Sequence, residues 1–119
     1  MTVTGPDFIA LQVRDLERAA DFYSTRLGLR RAPASPPGAV VFATEPVSVA
    51  VREPLPGLAR PRPGAGVALW LHADDAQALY DELAAADVSI VAPPVDGPFG
   101  RTFTFTEPDG YVVTIHDQP

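Results

Sequence analysis

Between Phe8 and Val13 the chain alternates, with Ile9, Leu11 and Val13 on one side and Phe8, Ala10 and Gln12 on the other. That is the period of a strand buried on one face. Asp15 follows as a helix N-cap, its carboxylate placed to accept from the first free amides. Leu16, Ala19, Ala20, Tyr23 and Leu27 then recur at helical spacing, and Gly28 stands where a glycine ends a helix. Leu29 to Ala32 predicts a short strand. SPPG interrupts the chain, and AVVFAT with VSVAVRE predicts a hairpin turning at Glu45-Pro46.

The order then repeats. GVALWLHA reads as a strand, DDAQALYDELAAADV as a helix, and RTFTFTEPDGYVVTIH as a closing hairpin turning at Glu107-Pro108-Asp109-Gly110. The repeat divides the chain into a first module over about 7–53, a proline-rich linker at 54–66 and a second module over about 67–116. A unit of about 50 residues buries little core by itself. The sequence therefore predicts one domain of 119 residues, of the α+β class. Two βαβββ modules in it build a curved mixed sheet with one concave face.

Composition changes this picture in a few places. At 46% apolar and 20% charged residues, the chain reads as an ordinary globular protein. No apolar run reaches the roughly 18–20 residues of a membrane span, and the N-terminal residues lack a signal-peptide pattern; a cytoplasmic location is expected. The absence of cysteine removes disulfides, thiolate metal sites and cysteine nucleophiles. A net charge of −6 speaks against a phosphate backbone as partner.

ALQVRDLERAADFYSTRLGL, PFGRTFTFTEPDGYVVTI and the βαβββ repeat together resemble the vicinal oxygen chelate superfamily. That group includes glyoxalase I, fosfomycin-modifying enzymes, extradiol dioxygenases and bleomycin-resistance proteins, and the resemblance covers nearly the whole chain. It implies the fold more than the chemistry. Enzymes of the superfamily hold a divalent metal through a His in the first strand, a His in the first strand of the second half and a Glu in the last strand. Carried over, those positions fall on Phe8, Ala68 and Thr114. None donates as imidazole or carboxylate does, and a slip of one residue turns a strand position to the other face. No metal ligand set, no cofactor and no catalytic residue is therefore expected.

The same alternation assigns the concave face. It carries Phe8, Gln12, Trp70, His72, Thr102, Thr104, Thr114 and His116 as candidate ligand-binding residues, among small neighbours Ala10, Ala68 and Val112. The opposite face, with Ile9, Leu11, Leu69, Leu71, Phe103, Phe105, Val113 and Ile115, is the predicted core. An apolar, aromatic surface with one amide, two imidazoles and several hydroxyls suits a small planar aromatic or heteroaromatic molecule. The two histidines lie on different strands with no obvious third metal ligand. No phosphate loop, Ser-His-Asp pattern or paired catalytic carboxylates is present, and Asp74-Asp75 reads as a helix start.

The expected function is metal-independent, non-catalytic binding of such a molecule, with antibiotic sequestration as the biological form. The resemblance to the bleomycin-resistance branch implies this through small size, acidic charge, the missing ligands and a tryptophan-bearing strand in the second half. It also implies a homodimer, in which the linker permits exchange of modules. Neither nucleic acid nor membrane is an expected partner. The alternative is a metal-dependent glyoxalase-like lyase, epimerase, thiol transferase or dioxygenase.

Overall fold

The structure, a computed structural model, describes residues 2–118. It falls into two compact units that divide between Pro63 and Gly64.

In the first unit, β1 (Phe8–Gln12) leads into α1 (Leu16–Asp21). The Asp15 carboxylate caps this helix by accepting from the Arg18 amide at 3.2 Å. The helix widens into a π-helical turn, Phe22–Arg26, closed by the Leu27 amide donating to the Phe22 carbonyl at 3.3 Å. β2 (Ala39–Phe42) and β3 (Ser48–Arg52) form the expected hairpin, with a cis peptide at Glu45-Pro46. β3 lies between β1, parallel, and β2, antiparallel. Leu11, Val40, Phe42 and Val51 are buried under the helix with Ala19, Ala20 and Tyr23, and the Tyr23 and Phe42 rings meet at 6.0 Å.

The strand expected at Leu29–Ala32 shrinks to one bridge, Arg31 to Phe42. The Arg31 side chain turns to Asp21 at 3.0 Å and Ser24 at 3.2 Å on the helical segment. Pro33, which has no N–H to donate, ends the pairing.

The second unit repeats the plan with longer strands: β4 (Ala68–His72), α2 (Ala76–Ala85), β5 (Ser89–Gly97), β6 (Gly100–Thr106) and β7 (Val112–His116), in the order β4-β7-β6-β5. The Asp75 carboxylate caps α2 through the Ala78 amide at 2.9 Å. Beyond the end of α2, Asp87 takes a left-handed φ of 60°, a conformation that a short polar side chain tolerates better than most. Leu83, Phe103, Phe105, Val113 and Ile115 form the core, and Tyr80 meets Phe103 edge-on at 5.4 Å. β5 is an edge strand and contains Pro93 and Pro94, where its register against β6 shifts.

The α+β class and the mixed pairing are as the sequence predicts. The ladders close within each unit, however, so the strands make two sheets rather than one. Each unit satisfies its backbone by placing its last strand between two others.

Candidate functional site

Strand alternation sorts β6 and β7 cleanly. Odd positions 103, 105, 113 and 115 are buried, while the even positions between them stay accessible. Trp70 stands beside Thr114 and His72 beside His116 on the parallel pair β4 and β7. Across β6, Thr104 faces Thr114 and Thr102 faces His116. Six of the eight candidate residues thus share one open face. The Thr104 and Thr114 hydroxyls share a hydrogen bond of 2.9 Å.

The aromatic members touch one another. Trp70 keeps 56% of its surface exposed, far more than a core tryptophan would, so it serves as a wall of this face. Its ring lies 6.0 Å from His116, and His116 lies 5.6 Å from His72. The alternation does not reveal a further member, Phe99. It sits in the two-residue turn between β5 and β6, half exposed, with its ring edge-on to Trp70 at 5.8 Å. The Gln118 amide donates to its carbonyl at 3.1 Å. Gly100 follows with a φ of +82°, and a side chain there would strike Asp117 and Gln118. The only sequence sign of this arrangement is the Pro-Phe-Gly turn itself.

Phe8 and Gln12 belong to the first unit's sheet. Phe8 is 51% exposed at the start of β1. The Gln12 amide is engaged by the proline-rich segment: its oxygen accepts from the Leu55 amide at 2.9 Å, and its nitrogen donates to the Leu58 carbonyl at 3.3 Å. Its geometry is that of a clasp on that segment.

Arg101 lies on the helix-covered side of the second sheet. It grips Asp96 with two bonds of 2.9 and 3.0 Å and donates to Gln77 of α2 at 2.9 Å. These bonds hold the Asp96 carboxyl below its ordinary pKa, first by hydrogen bonding and then by charge. The pair beside it borders a shallow depression of about 480 Å³, lined also by Gly97, Asp117 and Gln118. Because these charged groups already satisfy one another, the depression offers a ligand less than the aromatic face does.

The profile of the Glyoxalase/Bleomycin resistance protein/Dioxygenase superfamily matches residues 5–115. The chain belongs to this superfamily. Among curated protein sequences none matches it. Among solved structures it is similar to TnmS3, described as an antibiotic binding protein from a Streptomyces species. Identity there is 25%, 100% of this chain and 99% of the other are covered, and the TM-score is 0.79. A glyoxalase/bleomycin resistance protein, also from Streptomyces, is 27% identical with a TM-score of 0.76, over 95% of this chain and all of the other. A lactoylglutathione lyase from Agrobacterium tumefaciens shares the fold at 17% identity and a TM-score of 0.69, over 98% and 96% of the two chains.

Phe8, Ala68 and Thr114 present a phenyl ring, a methyl group and a hydroxyl already bonded to Thr104. They do not fit the divalent ion of the superfamily's enzymes, which takes imidazole and carboxylate donors.

Proposed function

We propose that the chain binds a small planar aromatic or heteroaromatic molecule, intact and without need of a resident metal, and that sequestration of an antibiotic is its biological role. The observation that carries this is the contact group of exposed Trp70 and Phe99 with half-buried His116 on the open face of the second sheet. Exposed indole and phenyl rings stay costly in water until another flat apolar surface covers them. The hydroxyls of Thr102, Thr104 and Thr114 and the two imidazoles supply polar contacts to orient such a ligand. The similarity to an antibiotic binding protein supports the same reading.

The test is a screen of planar natural products by quenching of Trp70, the sole tryptophan, with mass analysis of the recovered compound. Saturable quenching, an unaltered compound and indifference to a chelator are expected. A compound recovered chemically changed, or binding abolished by a chelator, would refute the proposal.

The proposal includes one domain acting as a homodimer in the cytoplasm. Sedimentation at micromolar concentration is expected to give twice the mass of one chain; a monomer would contradict it.

A further inference from the structure

We propose that His72 and His116 form a two-imidazole chelate for a late transition ion, separate from the donor positions used by the superfamily's enzymes and not required for the ligand reading above. The two residues are in register on adjacent parallel strands, β4 and β7, so their side chains leave the same face one strand spacing apart. Their ring centres are 5.6 Å apart, inclined at 70°. Two imidazoles sharing one ion at about 2.0–2.1 Å bring their centres to about 5 Å. The two spacings differ by about half an ångström.

The second observation concerns the proton on His116. Its Nδ1 lies 2.6 Å from the Gln118 carbonyl oxygen. A carbonyl only accepts, so Nδ1 carries the hydrogen, and in the neutral ring the Nε2 lone pair is left for a ligand. A ring nitrogen oriented by a backbone carbonyl on its far side is the arrangement found behind metal-bound histidines. His72 is exposed and free of any backbone clasp of this kind among the described hydrogen bonds. No group of three or more His, Cys, Asp or Glu side chains suited to an ion occurs among the described residues. Water completes the coordination shell, and the ion exchanges readily. Two neutral imidazoles favour copper over nickel and zinc, and these over magnesium or calcium.

Trp70 reports the event, because its ring lies 6.0 Å from His116. The experiment titrates untagged, chelator-treated protein with Cu²⁺ and follows tryptophan fluorescence, with Zn²⁺, Ni²⁺ and Mg²⁺ measured by calorimetry. Quenching is expected to saturate at one ion per chain, Zn²⁺ and Ni²⁺ to compete, and Mg²⁺ to have no effect. His72→Asn and His116→Ala are each expected to weaken binding by about ten-fold or more. His72→Asn alters only an exposed side chain, so its loss of affinity cannot be assigned to unfolding. Unsaturable quenching by Cu²⁺, or affinity unchanged in His72→Asn, would overturn the chelate. Ligand quenching that persists in the chelator-treated protein leaves the aromatic reading standing whichever way the metal titration turns out.

Discussion

Gly64→Ala is expected to destabilise the second unit by about 3 kcal/mol, the upper end of the cost of overpacking, and to lower the melting temperature by on the order of 10 °C. Gly64 is buried against the Glu107–Gly110 turn, and its amide donates to the Asp109 carbonyl at 2.9 Å. A methyl group there would meet the Tyr111 amide nitrogen and the Gly110 carbonyl carbon, both backbone atoms that cannot swing aside. The turn itself is stiff. The buried Glu107 carboxylate accepts from the Asp109 amide at 2.6 Å and the Tyr111 amide at 3.1 Å. Gly66→Ala makes the control. It meets nothing within 4 Å but sits at a φ of +84°, which costs about 1–2 kcal/mol. Thermal melts of both variants check the order; equal stability would remove the close approach as the reason for glycine at 64.

Trp70→Ala is expected to weaken binding of a planar ligand by about ten-fold or more, since loss of stacking and contact area of about 1.4 kcal/mol gives that factor. Stability should change by less than about 1 kcal/mol, because more than half of the side chain is already in water. Trp70→Phe should recover part of the affinity. The variants lose the only tryptophan, so calorimetry must replace fluorescence, using the compound that the screen recovers. A large fall in melting temperature with unchanged affinity would instead make Trp70 a packing residue.

Much of this was legible before any coordinates. The alternation in RTFTFT and VVTIH separates buried from accessible faces because a strand side chain has only two directions to choose from. ALWLH alternates only between half-buried and exposed, so the expected core residues Leu69 and Leu71, like Ile9 of β1, are half-buried rather than buried. Asp15 and Asp75 mark helix starts because a carboxylate satisfies amides that the helix leaves bare. The illegible features depend on contacts distant in sequence or on turns, which have no period. Phe99 joins the aromatic face through a turn geometry held by Gln118. Gln12 is half-buried on β1, and partners 43 and 46 residues away decide what its amide does. Leu29 to Ala32 carries an extended pattern, but Pro33, with no amide hydrogen to donate, leaves it a single bridge between Arg31 and Phe42.

The paired prolines of β5 also bear on how copies of this chain can meet. An edge strand invites a neighbour's strand through its row of unpaired amides, the route by which sheets fuse into aggregates. Pro93 and Pro94 have no amide hydrogen to offer, and the register shifts around them bend the rim out of line. Extension of the sheet across this rim is thereby disfavoured, which protects a sheet with one uncovered aromatic face from running on into a fibril. At this rim, contact between copies would have to use side chains, which can be chosen for one partner, in place of backbone, which would accept any.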